Sequence, residues 1–299
     1  MWNEEQDLKK KILEHPYLAC FVIFLICLAA RAVECFVIRT DETALAENFL
    51  HKLFGIAVLF VCIRFFRWKF SDIGFKKKKI ARNLGAGLLL GLVCFAISYA
   101  VEIILLISQQ KRPSIQFFVS GFSISGEPIR QTGVVFVLLC ILMNLINVWM
   151  EEGIFRGLNL KILTGKVSFA KANLFAALLF GVWHWVMPLR SYMDGESSVG
   201  NLVVLGVGYV VLAGIMSLKW GMLYKMTGSL WMGIGDHLFN NLIASNLVHV
   251  VTSDGADDLL IVRIIIAQLL SFAVISILYT RHSRKKVAVP LQEEKVGAK

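Results

Sequence analysis

Runs of apolar residues long enough to cross a bilayer constrain this chain before any single residue does. We read about eight of them, near 17–38, 46–66, 83–107, 134–155, 172–188, 200–218, 228–250 and 259–279. Roughly 20 residues at about 1.5 Å each cover a hydrocarbon core about 30 Å thick. Over 299 residues the chain is 57% hydrophobic, with a mean hydropathy of +0.68. A soluble fold of this length would need far more polar surface. The expected fold class is therefore all-α: a polytopic membrane helix bundle of about eight transmembrane helices, forming a single membrane domain over 1–299. The first run is too long for a cleavable signal, and no small-residue cleavage site follows Ile38, so it is expected to be retained. Arg31 and Glu34 interrupt its upper half.

Charge orients the bundle. With the N-terminus in the cytoplasm, one side collects Lys9–Lys11, Arg67, Lys69, Lys76–Lys79, Arg82, Arg156, Lys161, Lys166, Lys171, Lys219, Lys225 and the basic tail. The other side collects Arg39, Lys52, Lys111, Arg112, Arg130, Arg190 and the acidic stretch "SDGADD". This positive-inside asymmetry predicts both termini in the cytoplasm. It also accounts for the net charge of +10 through topology and attraction to anionic lipid. Nucleic acid is not an expected partner, because "KKKK" at 76–79 lies between two spans without interleaved aromatics. The tail, 280–299, reads as a disordered basic cytoplasmic segment. Loops are short except Gln109 to Gln131, which Pro113, Gly121, Gly126 and Pro128 break and which is expected at the outer interface. Gly87 and Gly91 form a GxxxG, a pattern for close helix packing. The cysteines show no CxxC and no pairing framework.

Charge within a span is costly and is kept for function or pairing. Three segments place polar side chains at one depth. "MEEGIFRG" carries Glu151, Glu152 and Arg156, with Glu151 about 15 Å from the cytoplasmic end of its helix. "LLFGVWHW" carries His184 about 20 Å inside its span, and "GDHLFNN" puts His237 and Asn241 roughly 13–20 Å deep. Glu152 and Arg156 are four apart and can pair on one helix, and His237 and Asn241 share a face by the same spacing. Asn144 and Asn147 continue a polar stripe toward Glu151. A carboxylate beside a histidine can hold and deprotonate a water. Arginine can hold the second carboxylate ionised, and an imidazole with an amide can donate to a developing oxyanion. These groups suffice for amide hydrolysis. Asp236 and Asn240 flank the last motif, while Trp183, Trp185 and Trp231 read as packing residues or as the walls of a lipid or peptide cleft. Glu102, Arg263 and His249 read as residues of interhelical pairing and packing.

The motifs resemble a known family. "EEGIFRG" resembles EExxxR, "FGVWH" resembles FxxxH and "HLFNN" resembles HxxxN of the CPBP family, which comprises type II CAAX proteases and bacteriocin-processing (ABI) proteins. The resemblance covers about 134–250, the catalytic core it implies. It implies a bundle of eight helices and an intramembrane glutamic endopeptidase opening toward the cytoplasm. In that scheme Glu151 activates water with help from His184, His237 and Asn241 form the oxyanion site, and Glu152 and Arg156 support them. No cofactor is implied, and the partners are the lipid bilayer and a membrane-associated peptide or protein; the oligomer is left open. Zinc at the same residues is the chemical alternative, although no HExxH occurs, Asn is a poor fourth ligand and Arg156 opposes a dication. A proton-coupled transporter should show paired halves, and no internal symmetry is visible. A non-catalytic bacteriocin self-immunity or scaffold protein is the alternative from another class. Short loops and the lack of a targeting segment point to a bacterial plasma membrane.

Overall fold

The computed structural model describes residues 2–43, 47–120, 130–253, 255 and 257–288. The helices are α1 (Trp2–Glu14), α2 (Pro16–Val33), α3 (Leu50–Phe66), α4 (Ile80–Ser108), α5 (Val134–Glu151), α6 (Asn159–Leu163), α7 (Phe169–Trp183), α8 (Val186–Met193), α9 (Val199–Thr227), α10 (Trp231–Leu238) and α11 (Leu260–Ala288). Three wider, π-helical turns interrupt or extend them, at Glu34–Ile38, Glu152–Leu158 and Phe239–Leu247. Six helical stretches are long and apolar enough to cross a membrane: Pro16–Glu42, Ile80–Ser108, Val134–Leu163, Phe169–Met193, Val199–Thr227 and Leu260–Arg284. Their outward faces carry exposed Leu, Val, Ile and Phe, as helices facing lipid must. The chain is a multi-pass membrane protein.

The other two expected spans take different forms. Helix α3 is 17 residues long and apolar, with its first turn anchored from below. Glu34 accepts the backbone N–H groups of Phe49 (2.8 Å), Leu50 (2.8 Å) and His51 (2.6 Å). A carboxylate there satisfies donors that a helix start leaves unpaired. The acidic interruption of the first span is thus the cap of the next helix. The run 228–250 is not one α-helix. It is α10, then the π turn, then a strand β2 (Val248–Val251) that pairs antiparallel with β1 (Ser114–Phe117), in the register Ser114↔Val251 to Phe117↔Val248. "VHVV" is β-branched at three of four positions, which favours an extended backbone. Part of the expected outer loop therefore supplies a strand, while its stretch 121–129 lies outside the described residues. The expected disordered tail also starts later: α11 carries the helix through Ala288, and 289–299 lie outside the described residues. Arg281 and Arg284 are good helix formers near a C-terminus, where cations are favoured.

Two charges assigned to cytoplasmic loops are in fact inside the protein. Arg156 and Lys219 are both fully buried. The span read as ending at 218 continues in α9 to Thr227, which draws Lys219 into the bundle. Glu102 and Arg263 form the expected interhelical pair at 2.6 Å, between α4 and α11. His249 is likewise a packing residue, stacked on Phe118 and hydrogen-bonded to Asp257 (3.1 Å) and to the Phe118 carbonyl (3.2 Å).

Helix α10 is held against α4 through glycines. A Cβ at Gly87 would stand 2.1 Å from the Met232 carbonyl oxygen, and one at Gly235 would stand 2.3 Å from that of Leu84. Gly91 sits against the Phe239 side chain in the same way. Small residues here let two backbones meet. Gly87→Val is therefore expected to cost about 1–3 kcal/mol through overpacking and to displace α10, read out by thermal unfolding in detergent. An unchanged melting temperature would show that this contact is not tight.

Candidate active site

Five elements bring the expected residues together. Glu151 ends α5, and Glu152 and Arg156 lie on the π turn that follows. His184 stands in the turn between α7 and α8, its backbone N–H bonded to the Gly181 carbonyl. His237 is near the end of α10, and Asn241 is on the next π turn. Single π turns inside helices occur often at functional sites, and here two of them carry motif residues. Glu151, Glu152, Arg156 and His237 are buried, while His184 and Asn241 are half-buried at the margin.

The two carboxylates have different surroundings. Glu152 is fully enclosed and receives Arg156 on both oxygens: Nε donates to Oε2 at 3.0 Å, and Nη2 donates to Oε1. Its Oε1 also faces His237 Nδ1 at 2.9 Å. The guanidinium lies between aromatic faces, 4.2 Å from the Phe180 ring centre and 4.9 Å from that of Trp220, a favourable setting for a desolvated cation. Glu151 has no such partner. Its Oε1 accepts from Trp183 Nε1 at 2.9 Å, and its Oε2 is 3.4 Å from His237 Nε2. One carboxylate is locked in an ion pair, and the other is held by a neutral donor.

The histidines are oriented from behind. His184 Nδ1 lies 2.8 Å from the Phe180 carbonyl oxygen, which can only accept, so Nδ1 carries the proton and Nε2 is left as an acceptor. The Phe180 ring packs edge-on against it, at 4.6 Å. His237 stacks on Trp220, with ring centres 3.9 Å apart and planes 17° from parallel. Asn241 Nδ2 lies 3.2 Å from His237 Nε2. The six residues thus form one cluster, although the hydrogen bond His184 makes goes to its own helix rather than to Glu151.

Several residues at this cluster escaped the sequence reading or were assigned other tasks. Trp183 reads as packing, yet its N–H holds Glu151. Arg31, an interruption in the first span, lies over the Trp183 ring at 4.5 Å. Trp220 fixes the His237 ring plane and donates to Asp236 at 2.7 Å. A tryptophan beside a motif gives no sign of which way its N–H will point. Asn144, by contrast, donates to the Cys140 carbonyl of its own helix at 2.9 Å. Among the described residues, no three His, Cys, Asp or Glu side chains are grouped as a metal ion would require.

Residues 133–243 match the family model of type II CAAX prenyl endopeptidases, Rce1-like. All six residues of the cluster lie within that match. It supports membership of the CPBP family that the three motifs resemble, and the family is one of membrane CAAX proteases. No curated protein matches the chain.

Proposed function

We propose, with CPBP membership as the premise, that this protein is an intramembrane glutamic endopeptidase acting on a membrane-associated peptide or protein. The observation that supports this most directly is the unequal pair of carboxylates. Glu152 is tied to Arg156, which leaves Glu151 as the carboxylate able to exchange a proton. In the reaction, a water placed between Glu151 and His184 Nε2 gives a proton to Glu151 Oε2. Its oxygen then bonds to the scissile carbonyl carbon, and the carbonyl electron pair moves onto the oxygen. Asn241, with His237 behind it, faces that oxyanion. Collapse breaks the C–N bond, and Glu151 returns the proton to the departing amine. The half-buried positions of His184 and Asn241 support entry of substrate from their side of the cluster.

The finer topology belongs to this reading: eight crossings, both termini in the cytoplasm, a site opening toward the cytoplasm, and a bacterial plasma membrane. The basic residues that remain at the surface, Lys76 to Lys79 among them, support the orientation. The competing reading is a bacteriocin self-immunity or scaffold protein that binds a peptide without cleaving it.

Cleavage of short membrane-associated peptides, prenylated and not, by detergent-solubilised protein separates these readings. The expected result is cleavage that survives a strong chelator and disappears in His184→Ala. Cleavage lost to chelator and restored by zinc would replace the metal-free mechanism. Folded protein that cleaves nothing would favour the scaffold. A smaller effect is expected at Trp183. Trp183→Phe keeps the ring and removes the N–H to Glu151, a bond to a charged group worth about 1.5–3 kcal/mol. The turnover number should fall by roughly 10- to 100-fold, since about 1.4 kcal/mol is tenfold in rate. An unchanged rate would mean that Glu151 needs no holding.

A further inference from the structure

A chain of buried hydrogen bonds runs from Lys219 on α9 to the active-site cluster. Lys219 Nζ has three partners: Gln268 Oε1 at 2.6 Å, Ser271 Oγ at 2.8 Å and Asp236 Oδ2 at 2.6 Å. Gln268 Nε2 donates to Asn240 Oδ1 at 2.9 Å, and Asn240 Nδ2 donates to Asn241 Oδ1 at 2.7 Å. Asn241 Nδ2 then meets His237 Nε2 at 3.2 Å, and His237 Nδ1 meets Glu152 Oε1 at 2.9 Å. Lys219, Gln268, Asn240 and His237 are all buried.

The direction of this chain is set at both ends. An ammonium has three donors and no acceptor, and Lys219 spends all three. Gln268 must therefore turn its oxygen to Lys219 and its amide N–H to Asn240. Asn240 must then offer oxygen to Gln268 and N–H to Asn241, and Asn241 must offer oxygen to Asn240 and N–H to His237. His237 Nε2 is thereby an acceptor, which leaves the proton on Nδ1. At the far end, the Glu152 carboxylate, ion-paired with Arg156, accepts only, and so requires that same Nδ1–H. Amide orientations are ordinarily ambiguous; here a donor-only end and an acceptor-only end impose one polarity on every link between them.

We propose that Lys219, Gln268 and Asn240 are positioning residues that fix the Asn241 amide and the His237 tautomer. The consequence refines the peptidase reading, on which it rests for its catalytic meaning. His237 Nε2 is occupied as an acceptor and has no proton to give. The donor to the oxyanion is the second N–H of Asn241, and His237 serves to aim it.

Gln268→Glu tests the relay, because it keeps the acceptor for Lys219 and removes the N–H to Asn240. The two asparagine amides must then reverse, and Asn241 presents oxygen to His237 Nε2. Glu152 still demands Nδ1–H, so the ring must take a second proton. Nitrogen-15 NMR of protein labelled at histidine reads this directly, with the His237 signals identified by their loss in His237→Gln. The expected wild-type ring is protonated at Nδ1 and bare at Nε2; in Gln268→Glu both nitrogens are protonated. Turnover should fall by about 10²–10³-fold, the cost of one oxyanion donor, with KM little changed. A wild-type ring protonated at Nε2 overturns the proposal without any variant. So does a folded Gln268→Glu protein whose His237 ring is unaltered. The ring signals do not depend on turnover, so a protein that cleaves no peptide would sink the peptidase reading and leave the relay to be judged by the spectrum.

Discussion

Glu151→Gln is expected to lose cleavage by about 10²–10⁴-fold, the usual worth of a positioned general base, while keeping its stability. Glutamine retains an oxygen for Trp183 Nε1 and the size of the side chain, so the packing around α5 and α7 has no reason to change. The adjacent Glu152→Gln should behave in the opposite sense. It removes the charge that Arg156 and His237 share, and its first effect should be a lowered melting temperature. Measured together by peptide cleavage and thermal unfolding in detergent, the two variants separate a base from a support. If Glu151→Gln cleaves at the wild-type rate, Glu151 is not the base and the glutamate mechanism fails.

The largest loss of stability is expected at Arg156. Arg156→Met removes the cation and leaves the Glu152 carboxylate buried with His237 as its remaining partner. Breaking one side of a buried ion pair costs about 3–5 kcal/mol. Arg156→Lys should recover only part of this, because a point-like ammonium cannot reach both oxygens as the guanidinium does. In the double variant Glu152→Gln, Arg156→Met, the stranded charge is gone. Its cost should be smaller than the sum of the two single changes, as coupled sites require. Additive costs would mean that the pair does not act as a unit.

These contrasts rest on one cluster, and it was only partly legible in the chain. The motif residues could be found because three polar groups share a depth in otherwise apolar runs, and a four-residue helical spacing places Glu152 with Arg156 and His237 with Asn241. The supporting residues carry no such mark. Lys219 reads as a loop charge at the end of a span, and only the continuation of α9 to Thr227 draws it inside. Gln268 is a single amide in an apolar helix, and it meets Asn240 across a separation of 28 positions. The same limit applies to the fold. Apolar length marked the long spans, but hydropathy alone could not separate the α10 helix from the strand at Val248–Val251, since both begin within the single run read over 228–250.

What the amino-acid order determined by itself was the environment and the reactive set. Long apolar runs commit the chain to lipid, and carboxylates, histidines and an asparagine that recur at one depth commit those positions to polar partners. Which partner each one takes was decided only by tertiary structure. Glu151 and Glu152 are neighbours with the same side chain, and nothing in their order separates them. The fold turns one toward a guanidinium and the other toward an indole N–H. That choice follows from where α7, α9 and α10 place Trp183, Trp220 and His237 around α5, and it depends on long-range packing that no local spacing encodes.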